Sequence, residues 1–436
     1  MFKRAAIVFT LVLHGATTGA AAEDKRSLQI LVSKDTQSLT VYDGGRAIAS
    51  SRVSTGKPGH DTPTGIFSIL EKRKYHESNI YSNAPMPWMQ RLTWSGIALH
   101  ESGSVPRYPA SHGCVRLPAD FAKSLYKMTA RGIHVIISDR PVMPEPITHA
   151  SLFAPPAQRP AGDVLSDASL RPSSADPSIR HVEVAMNMPH PPLPLALPKA
   201  DTATAADEPE PLRILITRRS ERDRVADVQA MLTELGFDAG AADGLAGDMT
   251  RGAITAYKRW KGLPLNGPLL DDAFLSALYA STGRAAPPAG QLLVRQGFQP
   301  VLSEPVGIAD PEVALGTFFF TVTRMDRDRG TAAWQGLRLE DDLPQATRKR
   351  LGITRMTAGL EEPGSSAGDR TAMQAVTMKA VLDRIHVPAA LRARLSEMMS
   401  TGTSLTITDA GPGLETTKGT DFITVTHSTP RRASKT

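Results

Sequence analysis

Residues 99–117 read LHESGSVPRYPASHGCVRL and contain the only cysteine of the 436-residue chain. Cys114 follows Ser111-His112-Gly113, and a second histidine, His100, stands 14 residues upstream. An unperturbed thiol is only a few per cent ionised at about pH 7, so a cysteine that attacks needs a nearby base or cation. His100 and His112 are both candidates for that base. His112 shares a face with Cys114 if the segment is extended, whereas His100 reaches the thiol if the loop Glu101 to Ala110, with Gly103, Pro106 and Pro109, folds back. For an acyl transfer the backbone N–H groups of Gly113 and Cys114 are the candidate oxyanion donors, because glycine lets the chain approach closely. Ser111 is a poor alternative nucleophile, since no Asp or Glu follows it in a triad order.

Around this stretch the pattern is of short strands. Leu28–Val32, Gln37–Tyr42 and Ile48–Ser54 are β-rich runs with an Asp43-Gly44-Gly45 turn signal between the last two. A Gly- and Pro-dense loop, GKPGHDTPTG at 56–65, leads back to strand at Ile66–Leu70. After the thiol, Pro118–Met128 carries apolar residues at helical spacing, Gly132 ends it, and Ile133–Ser138 is a closing strand. The spacing predicts a mainly β, antiparallel domain over 26–140. Trp88, Tyr81 and Met89, just before the thiol loop, are candidates for the wall of a cleft.

Composition bounds the rest. The length suggests about three domains, and 41% apolar residues suffice for real cores. A net charge of +6, with bases and acids interspersed, argues against nucleic acid as a partner. Residues 1–22 have the form of a secretory signal: Lys3 and Arg4, an apolar run Ala5–Leu13, and Ala20-Ala21-Ala22. That run is too short to span a membrane, which takes about 20 residues. An exported chain with one thiol has no intramolecular disulfide to build. Residues 141–213 hold about 15 of the 34 prolines and read as a disordered linker. His60, Asp61 and His134 are too scattered for a zinc site and no H-E-x-x-H run exists, so neither a metal nor a cofactor is expected.

Structure resumes over 214–283, where Val225, Val228, Leu232 and Leu235, then Ala253, Ile254, Tyr257 and Trp260, line successive helices. The run RVADVQAMLTELGFDAGAADGLAGDMTRGAITAYKRW resembles the peptidoglycan-binding domains that accompany wall enzymes. Residues 290–428 read as a mixed α+β repeat of the first domain. Leu292–Gln299 lies over Ile30–Gln37, Leu315–Phe318 over Thr64–Phe67, and Pro388–Asp409 over Pro118–Asp139 without a gap. That register puts Leu382, Asp383 and Arg384 where the first copy has His112, Gly113 and Cys114, so the repeat is degenerate and non-catalytic. Residues 429–436 form a disordered tail.

SHGCVRL, preceded by ALH and by TPTGIF, resembles the L,D-transpeptidases with a YkuD-type catalytic domain over about 26–140. The resemblance implies a YkuD-like sandwich, Cys114 as the nucleophile acylated by a peptidoglycan tetrapeptide stem, and His100 as proton acceptor and donor. A backbone carbonyl at Glu101 or Ser102 would orient that ring. Ser111, His112, Gly113, Arg116 and Glu101 are supporting residues, with Arg116 stabilising the loop or binding a substrate carboxylate where part of the family has Asn. The implied setting is periplasmic or otherwise exported and wall-associated. The acceptor is open between a stem amine, water, and the amine of an outer-membrane protein, and carbapenem-type β-lactams are the implied inhibitors. The spacing from His100 to Cys114 is shorter than the commonest in the family, which bears on acceptor preference more than on the chemistry.

Overall fold

The computed structural model describes residues 27–78, 83–157, 209–285, 287–356 and 367–427. The signal-like start, Tyr81, most of the linker and the 429–436 tail lie outside the described residues.

The first β domain comprises β1 (Leu28–Ser33), β2 (Ser38–Asp43), β3 (Arg46–Arg52), β4 (Gly65–Ser68), β5 (Glu71–Arg73), β6 (Met89–Arg91), β7 (Ala98–Glu101), β8 (Val115–Leu117), α1 (Ala119–Met128) and β9 (His134–Ser138). The larger sheet runs β4-β9-β1-β2-β3 and the smaller one β5-β6-β7-β8. Every residue of β1 is buried, because both faces of the sheet are covered. Ile30 and Val32 join Leu39, Val41, Phe67, Val135 and the α1 residues Ala122 and Leu125 in one core, while Leu31 faces a second. The expectation of an antiparallel domain needs correction: β1 pairs with β9, and β7 with β8, in parallel. Both pairs are joined through long connections, the 102–114 loop between β7 and β8 and the rest of the domain between β1 and β9, which a tight hairpin cannot replace.

The remainder builds a second sheet from β10 (Glu145–Ile147), β11 (Arg213–Arg218), β12 (Gly290–Gln296), β13 (Gln299–Ile308), β14 (Thr317–Asp326), β15 (Thr331–Leu339), β16 (Ile385–His386) and β17 (Ser404–Thr408), in the order β10-β15-β14-β17-β11-β12-β13-β16. Helices α2 (Glu221–Glu234), α3 (Asp248–Trp260) and α4 (Asp272–Ser281) lie between β11 and β12, and α5 (Gln345–Arg350), α6 (Ala367–Asp383) and α7 (Ala389–Met398) follow β15. A last strand, β18 (Thr424–Val425), leaves this sheet and pairs with β4 of the first.

The two sheets share a plan. β11 pairs antiparallel with β12 and parallel with β17, as β1 does with β2 and β9, and Arg213 faces Ser404 as Gln29 faces His134. Pro118–Asp139 and Pro388–Asp409 occupy equivalent places, α1 then β9 and α7 then β17. Three boundaries read from sequence are corrected. The second copy begins at β11, not at 290, so β12 takes the place of β2 and the alignment of Leu292–Gln299 on Ile30–Gln37 fails; the apolar start of β12 looks like β1 because both are buried strands. The helices are inserted in the β11–β12 hairpin, where the first domain has only a short turn, and an insertion inside a hairpin looks like a sequential domain along the chain. Phe318 faces Ile407 as Gly65 faces Ile137, so Phe320, not Phe318, stands at the place of Phe67.

The linker assignment also shrinks. β10 pairs with β15, Leu152 and Phe153 are buried in the second core, and Trp334 donates from Nε1 to the Phe153 carbonyl at 2.9 Å. The strand after β9 thus crosses to the second sheet, and the strand after β17 crosses to the first. Between the sheets Leu31, Ile66 and Ile136 pack on Phe319, Leu337 and Leu339. His134 and Ser404, at corresponding positions of the two copies, meet through Nε2 and Oγ at 3.0 Å, as expected where a pseudo-twofold axis passes.

The inserted helices have their own core of Val228, Met231, Leu232, Ile254, Tyr257, Phe274 and Leu278. A capping box at Ser220 and Asp223 starts α2. Buried Gln229 donates to Thr250 Oγ1 and the Leu245 carbonyl and accepts from the Gly244 N–H, which fixes the Asp243-Gly244 turn ahead of α3. Among the described residues no helix is long and apolar enough to cross a membrane.

Candidate active site

β7 and β8 run side by side with His100 opposite Arg116, and Cys114 lies immediately before β8. Gly113 has φ +115°, and a Cβ there would stand 2.9 Å from Ile97 Cδ1, so the turn into the thiol demands glycine. The side chain of Ser111 braces that turn: its Oγ accepts the Gly113 N–H at 3.1 Å and donates to the Cys114 carbonyl at 2.5 Å. The expectation of an oxyanion donor at Gly113 is corrected here, because its N–H is spent on this brace and of the two only Cys114 is left for that work.

The Gly56–Gly65 loop closes the other side. Thr62, buried, accepts the Gly56 N–H at 2.8 Å and donates to the Gly113 carbonyl at 2.7 Å. Ser111 is tied to the same loop through Lys57 N–H to Ser111 O at 3.0 Å and through Thr55 O, which accepts from Ala110 and Ser111. The 101–110 loop folds back, with Ser54 Oγ donating to the Tyr108 carbonyl at 2.8 Å.

His100 is buried, and its Nδ1 lies 2.7 Å from the Glu101 carbonyl. A carbonyl only accepts, so Nδ1 carries the proton and Nε2 is left as an acceptor. Burial lowers the His100 pKa to about 4; the bond to Glu101 opposes this, and the positive Arg116 adds to it. Cys114 is half-buried against Met86, Met89 and Ala98, and its thiol donates to the Gly96 carbonyl at 3.3 Å. Burial raises its pKa, against the pull of the Ala98 backbone, Arg91 and Arg116. Near neutral pH both groups therefore rest uncharged, as a thiol and an imidazole.

His100, Ser111, His112, Cys114, Arg91 and Arg116 line one cavity of about 90 Å³. Its far wall is the arm between β5 and β6, with His76, Pro85 and Met86. Among the described lining residues none is acidic; Arg91 is paired with Glu71 behind the wall, and Arg116 is the other cation at the cavity. His112 is exposed and stacks edge-on to His60, ring centroids 4.8 Å apart. Met89 is fully buried beneath the thiol and Trp88 packs on Tyr126, so neither forms the wall suggested by sequence.

Sequence reasoning misses Arg91, whose guanidinium is held by Glu71 Oε2 at 2.9 Å and by His76 Nε2 at 3.2 Å. It also misses Gly96, and it picks out the TPTG motif without the role of Thr62. A threonine beside proline in a glycine-bounded loop is the available signal for Thr62; for Arg91 there is none. Among the described residues no cluster of His, Cys, Asp and Glu could hold a metal.

In the second copy β13 meets β16 with Gly307 opposite His386, as Ser54 meets Arg116. Arg384 thus stands where Cys114 stands. Its guanidinium donates to the carbonyls of Ala309, Asp310, Val313 and Ala314 at 2.7–3.2 Å, filling the space with a structural plug.

Two family models match the chain. Residues 27–137 match the L,D-transpeptidase catalytic domain, YkuD, and residues 221–278 match a domain described as "Putative peptidoglycan binding domain". No curated protein matches. Among solved structures, an L,D-transpeptidase from Mycobacterium smegmatis is 26% identical over 26% of this chain and 59% of its own, with a TM-score of 0.25. An L,D-transpeptidase from Stackebrandtia nassauensis is 29% identical over 29% of this chain and 63% of its own, also at 0.25. The chain thus spans under two thirds of the length of either. It carries a YkuD L,D-transpeptidase catalytic domain followed by a peptidoglycan-binding domain.

Proposed function

We propose that the protein is an exported cysteine L,D-transpeptidase that acts on peptidoglycan stem peptides. The observation that carries the reading is the placing of Cys114 and His100 on adjoining strands around one cavity, with the imidazole Nε2 left as acceptor; the family match over 27–137 supports it. As the Cys114 Sγ bonds to the carbonyl carbon of the third residue of a tetrapeptide stem, its proton passes to His100 Nε2. The tetrahedral oxyanion forms beside the Cys114 N–H. The C–N bond then breaks, D-alanine leaves with the proton from His100, and a thioester remains. An amine of a neighbouring stem attacks the thioester, gives its proton to His100 and forms a 3-3 cross-link, releasing the thiol. Arg91 and Arg116 attract the carboxylates of the stem. Water as acceptor makes the enzyme an L,D-carboxypeptidase, and an outer-membrane protein amine makes it an anchoring enzyme.

The helical insertion holds the enzyme on the wall, and the leader-like residues 1–22 direct it there. The test is incubation with a carbapenem followed by intact mass. One adduct, absent from Cys114→Ala, is expected. A folded protein that forms no adduct but still binds isolated peptidoglycan would instead be a non-catalytic wall scaffold. A disaccharide-tetrapeptide assay then separates cross-linking from hydrolysis, and cell fractionation tests export.

A further inference from the structure

The chain from Gly413 to His427 leaves the second sheet and runs over the first domain. Ile423 enters the first domain's core, Asp421 Oδ2 accepts from Ser68 Oγ at 2.9 Å, and β18 lines up beside β4. Two of its contacts fall on the loops that position the thiol. Glu415 Oε2 accepts the Ser95 N–H at 3.1 Å, next to Gly96, whose carbonyl accepts from Cys114. Thr426 joins Thr64 by three hydrogen bonds: its N–H to the Thr64 carbonyl at 3.0 Å, its hydroxyl to Thr64 Oγ1 at 2.9 Å, and Thr64 Oγ1 to its carbonyl at 3.2 Å. Thr64 is two residues from Thr62, which holds the Gly113 carbonyl. The strap approaches so closely that a Cβ on Gly65 would sit 2.0 Å from the Thr424 carbonyl, which accounts for the glycine of the TPTG motif.

The Thr93–Ile97 turn is otherwise short and self-tied. Thr93 Oγ1 accepts the Ile97 N–H at 3.0 Å, and Gly96 adopts φ +114°. The Leu92 and Thr93 N–H groups also tie back to the Ile97 carbonyl, and the Glu415 carboxylate adds one anchor from outside, at the Ser95 N–H two peptide units before the Gly96 carbonyl. We propose that the non-catalytic copy positions the catalytic centre in cis: Glu415 and Thr426, on its C-terminal strap, hold the two loops on either side of Cys114. The consequence for turnover rests on the transpeptidase reading, while the positioning of the thiol stands without it.

The test uses the full chain and two reactions of the single thiol: acylation by a carbapenem, and alkylation by iodoacetamide followed against pH. Glu415→Ala is expected to slow acylation about three- to tenfold, the worth of one solvent-exposed hydrogen bond. It should speed alkylation about threefold, because a thiol no longer held by Gly96 ionises more easily. Glu415→Gln keeps an acceptor oxygen and recovers most of both rates, which loss of general stability would not explain. Thr426→Val is expected to slow acylation by a smaller factor. Wild-type rates for both reactions in Glu415→Ala and Thr426→Val, in protein that melts like wild type, overturn the proposal. A wild-type protein that alkylates but does not acylate removes the transpeptidase reading alone, and the alkylation ratio still decides the strap.

Discussion

Thr62→Val replaces a hydroxyl by a methyl of nearly the same volume, so it opens no cavity and isolates the two hydrogen bonds of that side chain. Both are buried: the Gly56 N–H loses its acceptor at 2.8 Å and the Gly113 carbonyl its donor at 2.7 Å. Water cannot readily follow, because a Cβ on Gly56 would already stand 1.9 Å from the His60 carbonyl. An orphaned buried group costs about 1–3 kcal/mol, so two cost about 2–4 kcal/mol after some relaxation. At about 2–4 °C per kcal/mol for a body of this size, the melting temperature should fall by about 4–16 °C. The loop that carries Gly113 would also relax, and a shift of the nucleophile by about 1 Å costs on the order of a hundredfold in rate, so carbapenem acylation of Cys114 should slow by about tenfold or more. Thr62→Ser keeps both bonds and should stay within about twofold of wild type in rate. Melting and acylation of Thr62→Val indistinguishable from wild type would refute the claim that this hydroxyl sets the thiol loop.

The depressed His100 pKa has a signed effect on stability: between the ordinary value near 6.5 and about 4 the unfolded chain binds the proton and the native one does not. Stability should be intact above about pH 6.5 and lose on the order of 3 kcal/mol by pH 4, and a His100→Gln protein should show a flatter denaturant midpoint over that window. For the same reason acylation should show no inflection between pH 6 and 7 and should rise with pH as the thiol ionises; a step there that vanishes with His100 would contradict a neutral imidazole. Arg384→Leu should unfold about 5–10 °C earlier, since four carbonyls lose their donor, while acylation of folded protein stays within about twofold. Replacing residues 220–288 by a short turn should leave acylation intact and abolish sedimentation with isolated peptidoglycan, because β11 and β12 already pair as a hairpin.

The thiol site is legible in the sequence because its chemistry is local. Cys114, His100 and Ser111 lie within one short stretch, and the residue that orients the imidazole, Glu101, is its neighbour. For Gly113 the sequence shows that glycine permits a close approach, but not that Ser111 takes its N–H before an oxyanion can. Arg91 leaves no trace along the chain, because it reaches the cavity only through the pairing of β6 with β7. The second sheet is half legible for a similar reason. Pro388–Asp409 matches the first copy because a helix packed on a parallel strand constrains its apolar positions, whereas β12 and β1 are similar buried runs whose identity depends on which neighbours they pair with. Insertion of the helices between β11 and β12 removed the one local clue, a short turn, that would have set the register.

The exchange of end strands gives the second copy, which has Arg384 at the place of Cys114, a structural part to play. In a sheet, an unpaired edge exposes a row of N–H and C=O groups and invites pairing with other chains. Here β18 of the second copy covers the edge of β4, and β10 of the first covers the edge of β15. Each copy also buries the apolar face of the other, with Leu31, Ile66 and Ile136 against Phe319, Leu337 and Leu339. None of these contacts uses the place of Cys114, where the second copy has Arg384 held as a strut by four carbonyls. The frame is tied to the site, because β4 leads out of the loop whose Thr62 holds Gly113. β18 pairs at Gly65, three residues after Thr62, whose hydroxyl holds the Gly113 carbonyl.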